Sequence, residues 1–410
     1  MPDHLNNYAK LGIGYPLSRK LVLALSSKLV YRSLIKNYAY DPQSEGPRDW
    51  YADQLLRRHP QQRRITEKFA DRFAANTENT RYWGYQEHTF HVAGRLHRRG
   101  TLSARPIIDR FRSINDPAEQ DLTGHEVLLS LGEAGRTAYA EHLGAVIRLN
   151  SEDELPQYLS PKKRKRLLRL LEPGKQHSAD YRQYLRYLRD YQPPDYSNRP
   201  PRFANYQVYL DSIYQKRYVG RSTRFFGSLR PKELRDLRRR VHTAGVTEDA
   251  LIGLLAPFQF RPYPGDPHEL LPLLSINNPR IAWLVADILA PHASVRIRTT
   301  ALLNLHAGIH PVEMVRVLGS NLRKGDDAML VATMKQSADQ HILHRFGYAI
   351  LACCDRVPAS HLTQALRFLY YSSRCGVCRE DIVRQLLKAN KTTLRKQLRY
   401  DAYGPTRKLY

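Results

Sequence analysis

The residues best placed to do chemistry in this chain are cations. Lys162-Lys163-Arg164-Lys165-Arg166 follows Ser160-Pro161, and with Arg169 it sets six positive charges within eight residues. Cations at this density can follow a phosphate backbone, each contact releasing condensed counterions. Further along, Arg182, Arg186 and Arg189 recur at i, i+4 and i+7 and so share one helix face. Tyr181, Tyr184, Leu185, Leu188 and Tyr191 share another. Guanidinium groups fork onto phosphates and exposed aromatic rings stack on bases, so the pattern fits a polyanion surface. A packed helix would use the same tyrosines equally well. Arg235, Arg238, Arg239 and Arg240 form a third basic cluster, and Lys388, Lys391, Arg395, Lys396 and Arg399 a C-terminal one. In a eukaryote the 162–166 run also reads as a nuclear-import signal.

Cysteine offers a second chemistry. Cys375-Gly-Val-Cys378 has the spacing of half a zinc site, and with Cys353-Cys354 upstream four thiolates could close a tetrahedron. The competing expectation is core packing, because Cys353-Cys354 continue the apolar segment 348–352 and free Cys commonly behaves as a small buried hydrophobe. Packing is the preferred reading, with no metal and no cofactor expected. Cys375 and Cys378 fall at an expected helix start beside Arg379, where a thiol could be acidified. His88, His91 and His97 lie at near-helical spacing and read as structural. The sequence contains no HExxH, P-loop, GxGxxG, GxSxG or kinase signature, so an enzymatic reading has little to rest on.

The whole-chain balance points the same way as the cations. Over 410 residues, 65 Lys and Arg against 39 Asp and Glu give a formal charge of +26, a field that attracts polyanions. Hydrophobic residues make up 42%, a globular proportion. Four cysteines in this length suit a reducing compartment, so the cytoplasm is expected, or the nucleus in a eukaryote. No run of 18 apolar residues marks a spanning helix. Residues 17–36 carry some presequence character, but read better as an amphipathic helix facing inward through Leu21, Leu25 and Leu29, or Val22 and Val30. Charge concentrates in the middle: residues 156–245 hold 22 Lys and Arg against 7 Asp and Glu.

The elements that must position these groups read as helices in pairs. Ser113-Ile114-Asn115-Asp116-Pro117 recurs as Ser275-Ile276-Asn277-Asn278-Pro279, an Asn or Asp cap with Pro entering the first turn. Three segments read as apolar helix, glycine break, apolar helix. One runs from Phe90, Ala93 and Leu96 through Gly100 to Ile107 and Phe111. A second runs from Val127 and Leu128 through Gly135 to Leu143 and Val146, and a third from Ala301 and Leu305 through Gly308 to Val315 and Leu318. This resembles HEAT-like repeats of the phycobilisome-lyase type over roughly residues 50–150 and 246–390, which implies an all-α solenoid of stacked hairpins. Around residues 321–340 a polar stretch replaces the expected turn, and 203–219 could be a short hairpin or a helix. The expected domains are an N-terminal amphipathic segment (1–48), a first HEAT-like half (49–155), a basic Tyr-rich insert (156–245) and a second half (246–410) with a basic C-terminal helix.

Trp283 and Asp287, one helical turn apart, resemble a pair found in HEAT-like alkylpurine DNA glycosylases. The resemblance implies that Asp287 would stabilise a developing sugar cation and Trp283 would contact the substrate. That family carries a further Trp downstream; here the others are Trp50 and Trp83, far upstream. The favoured expectation remains a non-enzymatic solenoid binding DNA or RNA largely independently of sequence. A scaffold binding an acidic protein surface is the alternative, with base excision behind both.

Overall fold

The structure, a computed structural model, describes residues 2–18, 21–38, 48–75, 83–113, 125–150, 160–172, 178–192, 203–215, 223–337, 339–389 and 394–410. Among them the regular structure is entirely helical, with no strand. No described helix is long and apolar enough to cross a membrane. The chain divides into two compact units: Met1–Tyr196 with Arg374–Val377 and Thr393–Tyr410, and Ser197–Ser373 with Cys378–Thr392. The division falls inside the 156–245 segment read from sequence as one insert. Its first two helices are built into the first unit because Leu167, Leu171, Tyr181, Tyr184 and Leu188 join that unit's core.

In the first unit the 19-residue helix Gly132–Asn150 is the platform. It packs on Ala104–Arg112, His125–Ser130, Pro161–Leu171 and above all Ala179–Asp190. Gly144 permits this last approach: a Cβ there would lie 1.6 Å from the Asp180 carbonyl oxygen. The break ahead of the platform is at Gly132 (φ +78°), not at Gly135 as expected, because Gly132 alone takes the left-handed conformation in that turn. Residues 17–36 are not one helix. A 3-10 turn, Leu21–Ala24, precedes Ser27–Ile35, whose first turn is capped by Ser26 accepting from the Leu29 amide. Val22, Leu25, Leu29 and Val30 are buried, as an amphipathic segment requires, while Leu23 is exposed. The C-terminal residues fold back onto this unit: the Ala402 amide donates to the Gly12 carbonyl at 2.7 Å, and Arg407 lies 4.0 Å over Trp50.

Several helices of the second unit begin at side-chain caps. Asn205, Thr247, Asn278, Ser294 and Asp339 cap the helices Tyr206–Tyr214, Glu248–Leu255, Pro279–Leu289, Val295–His306 and Gln340–Cys354. Asn278-Pro279 behaves as the sequence motif requires; residues 114–117 of its counterpart, like the Pro193-Pro194 and Pro200-Pro201 breaks, lie outside the described residues. The 203–219 ambiguity resolves, over the described part, to the helix Tyr206–Tyr214. The polar stretch after Asn321 contains the helix Asp327–Lys335. Asn321 itself accepts from the Ser294 amide at 2.7 Å and donates to the His292 carbonyl at 2.9 Å, replacing a turn by side-chain bonds.

Polar side chains also tie alternate helices of the second unit together at similar sequence intervals. Gln259 donates to Asp287, 28 residues on, and Arg345 pairs with Glu313 across 32. Asp287 pairs with Arg316, and Arg298 with Asp326 at 2.7 Å. Asp327 accepts from the Gln364 and Ala365 amides. Each link holds one helix start or face against another while the apolar faces close behind.

Candidate nucleic-acid interface

Pro161–Leu171 and Ala179–Asp190 form a helical hairpin, each entered through a serine. Ser160 accepts from the Lys163 amide and Ser178 from the Tyr181 amide, with Pro161 supplying the first-turn conformation. Leu167 and Leu171 point into the unit's core. Lys162, Lys165, Arg166 and Arg169 follow i, i+3, i+4 and i+7 spacing, which turns them to the opposite face, and all four are exposed, as is Lys163. On the second helix Tyr181, Tyr184, Leu185 and Leu188 are buried, and Arg182, Arg186 and Arg189 are exposed. The tyrosines are therefore not offered to bases as the sequence pattern allowed. Tyr181 donates to the Leu171 carbonyl at 2.8 Å, Tyr139 and Tyr184 hydroxyls lie 3.3 Å apart, and Tyr191 is also buried.

Nine cations in residues 160–172 and 178–192 face three carboxylates, Glu172, Asp180 and Asp190. Arg166 reaches Glu126 at 3.1 Å, Arg189 reaches Glu172 at 3.3 Å, and Asp180 is taken by Arg148 of the platform at 2.8 Å. Arg164 donates to the Tyr191 carbonyl and Arg186 to the Gln183 side chain, both neutral. Among the described residues, Lys162, Lys163, Lys165, Arg169 and Arg182 pair with no carboxylate. Charge that is not balanced inside the fold stays available to an outside anion.

The third cluster differs. On Pro231–Val241, Arg238 grips Glu269 at 2.5 Å, while Arg239 and Arg240 both hold Asp236, at 3.1 and 2.7 Å. Burial pushes the Asp236 carboxyl up, but hydrogen bonds from Arg240 and Tyr206 outweigh it and hold it below the usual range. Arg238, Arg239 and Arg240 thus already meet carboxylates of the fold, while Arg235 is exposed and meets none among the described residues. Sequence reasoning missed Glu126, Asp236 and Glu269 as the partners that decide which cations stay available. At the C-terminus, Lys388, Arg395, Lys396 and Arg399 are exposed; Lys391 lies outside the described residues.

Trp283 and Asp287 share a half-buried face, as their spacing requires, but it is occupied. Arg316 pairs with Asp287 and lies 4.5 Å over the Trp283 ring, and Gln259 donates to the same carboxylate. A carboxylate balanced this way offers a cationic substrate little charge, and the tryptophan face is already covered.

Cys353, Cys375 and Cys378 are buried and Cys354 is half-buried. Burial pushes Cys353 and Cys354 up to about 12, so both stay protonated at neutral pH. The Cys353 thiol contacts the Val315 carbonyl at 3.5 Å. Cys375 and Cys378 are buried at the start of Gly376–Lys388, and the Cys378 sulfur lies 3.4 Å from His344 Nδ1.

Compared with family models, curated proteins and solved structures, the chain matches none.

Proposed function

We propose that this chain is a non-enzymatic binder of nucleic-acid backbone and that the 160–192 hairpin is its principal contact. One observation carries the proposal: a packed, serine-capped hairpin turns five cations outward that no described carboxylate neutralises. Backbone contacts of this kind position a strand without reading its sequence. The buried tyrosines leave electrostatics, rather than base stacking, to supply the affinity. The linked helix pairs of the second unit, with ties recurring near 30 residues, support reading that part as stacked HEAT-like hairpins. Asp287 and Trp283 take a structural part in that stack.

Salt tests the proposal. Affinity for a labelled 20-nucleotide strand should fall by about two orders of magnitude or more between roughly 50 and 200 mM salt, with little dependence on sequence. Binding that changes less than about threefold over this range would overturn it. A ligand captured only when it is an acidic folded protein would transfer the surface to a scaffold role.

A further inference from the structure

The second unit holds an open cleft of about 850 Å³ between its first three helices, Tyr206–Tyr214, Thr223–Ser228 and Pro231–Val241. Its chemistry is two-sided. Phe225, largely buried, and the half-buried Tyr206 supply flat apolar surface, and Arg224 and Lys232 supply positive charge. Its two carboxylates are already used. Glu233 accepts from both the Arg230 backbone and side chain, and Asp236 is bonded by Tyr206 at 2.8 Å as well as by Arg239 and Arg240. Arg224 and Lys232 are exposed and pair with no described carboxylate. Lys232 also stands in the first turn of the 11-residue helix Pro231–Val241, so the positive end of that helix adds to the field.

A concave, partly aromatic site with convergent cations selects an anion attached to a flat ring. We infer that this cleft binds a nucleoside monophosphate, a flat base joined through its sugar to a phosphate monoester, with the base against Phe225 and Tyr206 and the phosphate between Arg224 and Lys232. Arg forks onto two phosphate oxygens and Lys acts as a point charge, a pairing suited to a terminal phosphate. The inference is independent of the hairpin and uses none of its residues.

Calorimetric titration of the full chain with AMP, adenosine and inorganic phosphate tests it. AMP should bind with one-to-one stoichiometry and at least about tenfold more tightly than either fragment. The exposed substitutions Arg224→Ala and Lys232→Ala, made together, should weaken AMP at least about tenfold without lowering Tm, and glutamine replacements at Lys162, Lys165 and Arg169 should leave AMP binding unchanged. Absence of saturation at about 5 mM AMP, undiminished binding in the Arg224/Lys232 double variant, or loss of AMP binding in the hairpin variant would each overturn the inference.

Discussion

Two basic helical regions close together in sequence end up with opposite electrostatic fates. Among the described residues of the 160–192 hairpin, only Arg166 and Arg189 of nine cations meet a carboxylate. In 230–241, four of six cations do: Arg230, Arg238, Arg239 and Arg240. The first region carries its charge as an outward surface; the second uses most of it as internal fastening. A count of arginines therefore says little about an interface until the carboxylates that answer them are placed. Exposed pairs of this sort contribute at most about 1 kcal/mol each, so their importance lies in which charges they remove from the surface.

The largest effect that would sharpen the contrast concerns the hairpin's tyrosines. Tyr184→Ala should cost about 3–5 kcal/mol in chemical denaturation, because the ring is buried among Tyr139, Leu188 and their neighbours. Tyr184→Phe should cost about 1 kcal/mol and leave strand affinity unchanged. A Tyr184→Phe protein that folds normally but binds weakly would return the ring to the interface.

Asp287→Asn comes next, testing whether the second unit's charges are internal fastenings. Removing the partner of a partly buried Arg316 should cost about 1–3 kcal/mol with no change in nucleic-acid affinity. Affinity that falls with stability intact would place this pair at a ligand instead.

Acid should affect the first unit. Burial holds His88 and His142 down at about 4 and His125 at about 3, the last also depressed by His142 and by Lys163 of the hairpin. An unfolded imidazole titrates near 6.5, so between there and about pH 4 the unfolded chain binds protons that the folded one refuses. The stability contributed by these neutral histidines is complete above pH 6.5 and falls as pH drops. The Tm of the full chain should decline by roughly 5 °C or more from pH 7.5 to 4.5. A flat profile would show that the rings are solvated.

The smallest effect would blur the comparison on purpose. Asp236→Asn releases Arg239 and Arg240, costing about 1 kcal/mol and raising strand affinity by about threefold. Unchanged affinity would mean that this helix cannot reach the strand even when its charges are freed.

What sequence made legible was local. The Asn278-Pro279 helix start and the glycine break at Gly308 act within a turn of their own position, and each lies where its motif implied. The common face of Arg182, Arg186 and Arg189 was equally plain from its spacing. Pairings across about 30 residues were not: Arg238 with Glu269, Asp236 with Tyr206, and Asp287 with Arg316 depend on how helices stack, which no local pattern encodes. The tyrosine stripe showed the same limit, since one face at helical spacing serves a core or a ligand alike. The cleft beside Phe225 was invisible for the same reason, being assembled from three helices.

The most direct measurement compares two variants in strand binding across a salt series. Replacing Lys162, Lys165, Arg169 and Arg182 by glutamine should reduce the log–log salt slope by about 3 and weaken binding at about 100 mM salt by more than a hundredfold. Replacing Arg238, Arg239 and Arg240 by glutamine should change that slope by less than about 1. Equal losses in the two variants, or a greater loss in the second, would contradict the separation of outward from internally committed charge.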